Sequence, residues 1–255
     1  MVNPKSGYCL QYRLRTALVL IVLVSTLFAI FGRKLRHERR TDQVVAWCQS
    51  LGGDAVPEFE RDGGGLGVFT NIWRLNDVQS IHFSDTQVRD ISPLSMLRSV
   101  NQIQLENSQV CELSALAGMR SLSILDVSNT PVTDLSPLRG ITSLEWLRLD
   151  DTGVSDISSL ATLYELKYLS LNGTRVKDLS PLVESNSVVR LHLNSTAVVD
   201  LHALVGLTSL RELYLQDSMV SERHVQWLRN QLPDCQVIYS ASSRKRTIPT
   251  RNISE

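Results

Sequence analysis

The chain has 255 residues, 43% of them hydrophobic but only 6% aromatic, so any core must be filled by aliphatic layers. Its formal charge is zero, yet residues 1–40 carry eight Lys and Arg against one Glu and residues 241–255 carry four against one, which leaves about −10 for residues 41–240. An acidic centre between basic ends argues against nucleic-acid binding, which calls for a basic surface.

Residues 1–15 are a short polar, basic segment with Lys5, Arg13 and Arg15. Residues 16–32 then run apolar from Ala17 to Phe31, interrupted only by Ser25 and Thr26. As a helix this stretch is roughly 25 Å long, slightly short of a ~30 Å hydrocarbon core, and Arg15 and Arg33 can snorkel to close the gap. Its eleven Leu, Ile, Val and Phe favour insertion by roughly 3 to 7 kcal/mol. A cleaved secretory signal is the competing reading, but the end of the run lacks an Ala-x-Ala site and has bulky Phe31 in its place. One transmembrane helix is therefore expected. Five basic residues from Arg33 to Arg40 against three before the span place the rest of the chain in the cytoplasm by a thin margin, narrowed further by Glu38 and the amino terminus. The side is left open.

Residues 33–74 read as a basic juxtamembrane stretch followed by a capping helix and loop. Thr41 can cap a helix that places Val44, Val45, Cys48 and Leu51 on one face and ends at Gly52 and Gly53. Gly63 to Gly65 form a flexible loop, and no Lys-Ser or Lys-Thr follows to make it a phosphate loop.

From residue 75 to 240 one pattern recurs every 22 residues. Ile81, Ile103, Leu125, Leu147, Leu169, Leu191 and Leu213 are all aliphatic, and Phe83, Leu105, Val127, Leu149, Leu171, Leu193 and Leu215 are all apolar. Thr86, Ser108, Thr130, Thr152, Thr174, Thr196 and Ser218 always carry a hydroxyl, and a valine follows two residues later. Each unit reads L-x-x-L-x-L-x-x-T-x-V, and here the chain resembles the leucine-rich repeat family in its short, internalin-like form. The basic flank, single span, short helix ending in Gly-Gly and following repeats are similar to membrane-anchored bacterial members. The resemblance implies an α/β solenoid: a right-handed leucine-rich repeat coil with a parallel sheet on its concave face, preceded by the transmembrane helix.

The hydroxyl series occupies the family's usual Asn or Cys position, where the side chain satisfies backbone groups at the turn out of the strand, and seven hydroxyls in register indicate a ladder. Asp90, Glu112, Asp134, Asp156, Asp178 and Asp200 form an acidic column, read as capping the short helical turns that open at Ser92-Pro93, Ser136-Pro137 or Ser180-Pro181. Residues 222–231 read as a full capping helix with Val225, Leu228 and Leu232 inward. Adding 22 to Leu213 and Leu215 gives Cys235 and Val237 in a last strand. Residues 241–255 read as a disordered tail.

No catalytic motif is present, and the family's repeats do not supply one, so the chain is read as no enzyme and as needing no cofactor. His82 and His192 share a column but stand five units apart, about 24 Å, too far for a shared metal. Cys111 and Cys235 are over ~20 Å apart, beyond disulfide reach. Function in such a fold resides on the outward residues of the strands. Those chosen as a binding site are Trp146, Tyr168, Arg190, Arg148, Asp126, Asp150, His192 and Tyr214, because aromatic and Arg residues dominate interface hot spots. Trp146, Tyr168 and Arg190 should stand side by side about 4.8 Å apart. The expected role is a membrane-anchored interaction module for a protein partner. A membrane scaffold, or a carbohydrate or envelope-polymer binder, is the alternative.

Overall fold

In the computed structural model the described residues are 42–57, 78–83, 87–97 and 99–240. The expected span 16–32, its basic flanks, the triple glycine and the tail 241–255 lie outside them. Among the described residues no helix is long and apolar enough to cross a membrane.

Among the described residues nine strands form one sheet in strict chain order. Seven internal ones, from β2 (Val78–His82) through β3 (Gln102–Gln104), β4 (Ile124–Asp126), β5 (Trp146–Arg148), β6 (Tyr168–Ser170) and β7 (Arg190–His192) to β8 (Glu212–Tyr214), pair in parallel with a register that advances by one repeat. Each strand from β2 to β7 returns through a short 3-10 turn, as at Ser136–Leu138 and Ser180–Leu182. The inward series, Ile81 through Leu213 and Phe83 through Leu215, is fully buried. With Val88 to Val220 and the turn leucines Leu94, Leu116, Leu138, Leu160, Leu182 and Leu204 they make one continuous core. No single repeat could bury this apolar surface, so stacking is what stabilises the array.

The aspartates of the acidic column do what their position before the turns suggests, whereas Glu112, among the described residues, does not bond to its turn. Oδ1 of Asp90, Asp134, Asp156, Asp178 and Asp200 accepts the backbone N–H two residues on, at 2.8 to 2.9 Å. Asp134 and Asp178 also accept the following serine hydroxyl. The hydroxyl column, in contrast, is not a ladder between repeats. Thr130, Thr152, Thr174, Thr196 and Ser218 each donate to the carbonyl three residues earlier in their own repeat, at 2.6 to 2.8 Å. Placed at the turn out of the strand, these hydroxyls satisfy its backbone carbonyls, whereas those of Ser143 and Ser187 reach a carbonyl of the preceding repeat.

Both ends of the coil are covered. Residues 42–50 are helical (α1) and bury Val44 and Cys48, while Leu51 is 42% exposed, because it lies past the helix in the turn that Gly52 closes in the left-handed conformation. Gly53 lies so close to the core that a Cβ there would meet Phe83 at 2.3 Å, and Trp47 packs edge-on against the same ring. A strand absent from the sequence reading, β1 (Asp54–Pro57), then pairs antiparallel with β2 and covers the open sheet edge.

At the other end Ser221 caps α2 (Glu222–Gln231) by accepting from the His224 N–H, and Val225 and Leu228 are buried beneath it. The last strand, β9 (Gln236–Ile238), pairs Leu213 with Val237, not with Cys235. The step there is two residues longer than the internal repeat, since a full helix uses more chain than a 3-10 turn. Burial pushes the thiols of Cys48 and Cys235 up to about 11, which keeps both unreactive.

Candidate functional site

The outward face of the sheet changes character along the array. Strands β2 and β3 present Ser80, His82, Gln102 and Gln104, whereas β5 to β8 present four rings and two arginines. Because β-strand side chains alternate, Trp146, Tyr168 and Arg190 share one outward row, aligned by register, and Asp126, Arg148, Ser170, His192 and Tyr214 share the next.

The rings pair off. Trp146 and Tyr168 stack face to face with centroids 3.7 Å apart and planes 8° from parallel. This is closer than the expected strand spacing, because the rings lean together. His192 and Tyr214 stack at 4.1 Å and 10°, and Tyr168 meets His192 at 5.1 Å and 45°, which joins the two pairs. Such contacts contribute about 0.5–1.5 kcal/mol each beyond area burial. The Arg190 guanidinium lies 5.9 Å from the Trp146 centroid and 6.0 Å from that of Tyr168, within cation–π range. Burial lowers the His192 pKa, so the ring is neutral at pH 7, and burial is also the main cause raising that of Tyr168. Tyr214 is raised mainly by donating its hydroxyl to Glu212.

Beside the rings sits a polar network. Arg148 donates from Nη1 to Asp126 at 3.0 Å and from Nη2 to Asp150 at 3.2 Å. Both carboxylates are nearly buried, and burial works against the Arg148 charge, but their field outweighs it and raises the guanidinium pKa. Asp126 also accepts the Ser128 hydroxyl and N–H, while Asp150 accepts the Ser170 hydroxyl and, at 2.9 Å, the Asn172 N–H. All eight residues chosen from the sequence thus lie on one continuous patch, the rings and Arg190 in one group and Arg148 with its two acids in the other.

Sequence reasoning missed the ladder that fixes this patch. Asn172 Oδ1 accepts the Asn194 N–H at 2.9 Å, and Asn194 Oδ1 accepts the Gln216 N–H at 2.7 Å, which continues the bond from Asp150 to Asn172. The signal was present: Asp150, Asn172, Asn194 and Gln216 recur at one position, and each carries a side-chain oxygen. Among the described residues no group of three or more His, Cys, Asp or Glu could hold a metal ion.

A continuous parallel sheet, one strand and one short turn per repeat and capped ends define a repeat solenoid, an architecture whose open surface serves in general as an interaction module. Internalin C2 of Listeria monocytogenes is 32% identical over 66% of this chain and 73% of its own, with a TM-score of 0.61, and the chain belongs to the leucine-rich repeat family of the internalins. A second internalin of that organism is 21% identical over 63% of this chain and 48% of its own, with a TM-score of 0.56. A leucine-rich repeat protein of Leptospira interrogans shares the fold at 15% identity, 63% and 48% coverage and a TM-score of 0.52. No protein-family model and no curated protein sequence matches the chain.

Proposed function

We propose that this protein binds another protein through the concave face of its solenoid, centred on Trp146, Tyr168, Arg190, His192 and Tyr214, and that it catalyses no reaction. One observation carries the reading: a run of four rings in contact stands on the open side of the sheet, outside the core, where strands β2 to β4 carry the single ring of His82 among Ser, Gln, Ile and Asp. Half-exposed rings beside a charged rim are the composition of an interface core. Ring orientation favours a protein over a carbohydrate. A sugar is held by an open aromatic face, but rings stacked from strand to strand stand upright on the sheet and turn their edges to a partner, where apolar side chains can meet them. Affinity capture with the tagged protein, run beside a glycan array, tests this. A captured protein that is lost when Trp146→Ala replaces the wild type supports the reading, and glycan binding with no such protein contradicts it.

We further propose that residues 16–32 anchor the chain in a membrane as a single pass. The support is the apolar, uncharged run and its basic flanks. The protein should stay in the pellet when membranes are washed with alkaline carbonate and move to the supernatant when residues 16–32 are deleted; release of the intact chain by the wash would refute the anchor.

A further inference from the structure

The two arginines of the patch are in opposite states. Arg148 is spent: two internal carboxylates accept from it and balance its charge. Arg190 is exposed, and among the described residues no carboxylate or carbonyl accepts from its guanidinium, whose contacts are the rings of Trp146 and Tyr168. Its register partner on the following strand, Glu212, is engaged at Oε2 by the Tyr214 hydroxyl.

This inference rests on the concave-face reading. Any partner that covers the Trp146 and Tyr168 rings must also cover Arg190, because its guanidinium lies about 6 Å from both centroids. Water is then stripped from five N–H donors, and an arginine cannot shed its proton to escape the cost. A buried guanidinium without acceptors is strongly unfavourable, so the partner has to bring acceptors with it. We propose that the partner presents a carboxylate to Arg190, held by two parallel N–H bonds, with an apolar side chain next to it on the ring edges. His192 offers no competing positive charge, since burial keeps it neutral. A dianion such as phosphate is disfavoured, because Asp126, Asp150 and Glu212 share the face with only Arg148 and Arg190. The carboxylate can come from an Asp or Glu side chain or from a chain terminus.

The test is selection of a random-peptide phage library on the immobilised full-length protein, keeping the peptides that Trp146→Ala no longer binds, and measuring them as free and carboxy-amidated synthetic peptides. The retained peptides should share an acidic group beside an apolar residue, and Arg190→Glu should weaken them about 30-fold or more while Arg190→Lys weakens them less. Loss of binding on amidation alone assigns the carboxylate to a chain terminus, and insensitivity to amidation assigns it to a side chain. Retained peptides with no acidic group, or with affinity unchanged by Arg190→Glu, overturn this inference and leave the concave-face reading standing. If no selected peptide depends on Trp146, both fall.

Discussion

Arg148 reaches across one repeat to Asp126 and two residues on in its own repeat to Asp150, so a single half-exposed guanidinium is shared by two nearly buried carboxylates. Removing it strands both charges. Arg148→Met should destabilise the fold by about 1–3 kcal/mol, below the full cost of breaking a buried pair because solvent reaches the arginine. Adding Asp126→Asn and Asp150→Asn to that variant should recover most of the loss. Equal urea midpoints for Arg148→Met and wild type would show that the triad contributes nothing to stability.

A second column carries backbone strain. Asn107, Asn129, Asp151, Gly173, Ser195 and Asp217 recur one repeat apart, and all have positive φ, between 53° and 66°. Serine is the poorest residue for that conformation in the series, so Ser195→Asn should stabilise by about 0.5–1 kcal/mol. At Gly173 a Cβ would stand 2.1 Å from Asp151 Oδ1, and Gly173→Ala should lose at least ~1 kcal/mol. Thermal melts of the two variants should move in opposite directions.

The turn-capping carboxylates set the acid limb of stability. Asp90, Asp134, Asp178 and Asp200 have pKa values below the ordinary 3.8, chiefly because each accepts a backbone N–H. A lowered folded pKa means that the stabilisation is complete above 3.8 and is lost as pH falls through the folded values. Asp134→Asn with Asp178→Asn retains the acceptor oxygen but not the titration. Plotted against pH, urea midpoints of this double variant should therefore fall less steeply below about 4 than those of wild type. Parallel curves would remove the carboxylates from the explanation.

Ser185 interrupts the buried aliphatic series Met119, Ile141, Leu163 and Leu207, and it is itself buried, at 2% exposure. The neighbouring Val183 adopts helical angles where Ala117 and Arg139 are extended, and its side chain is 47% exposed. This layer therefore lacks the aliphatic side chain that its neighbours bury at the same position. Amide hydrogen exchange should be fastest at residues 184–187 among the internal repeats, and uniform protection would show that the layer is not weak.

The repeat period and the inward series were legible because aliphatic burial repeats at one interval, and that interval sets the sheet register directly. The pairing of Asp126 with Arg148 followed from the same arithmetic. The shift at β9 did not, because the length of chain that α2 uses is a property of the helix and not of the repeat. Strand β1 was illegible for a related reason: Asp54–Pro57 has no counterpart in the array, so no periodicity marks it. The ring row could be placed by counting, but its face-to-face geometry depends on how far the rings lean between strands, which no spacing encodes. The oxygen ladder through Asn172 and Asn194 was harder to see than the hydroxyl column, because its own column is Ser84, Glu106 and Ser128 in the earlier repeats and carries Asp, Asn or Gln only from Asp150 on.

The central claim is that the rings serve binding and not folding, and replacing Trp146 and Tyr168 singly by alanine tests it most directly. With the captured partner, each substitution should cost about 2 kcal/mol or more of binding free energy, while the thermal midpoint falls only by the stacking contribution of about 1 kcal/mol. Unchanged affinity in both variants, or loss of binding that merely follows unfolding, would contradict it.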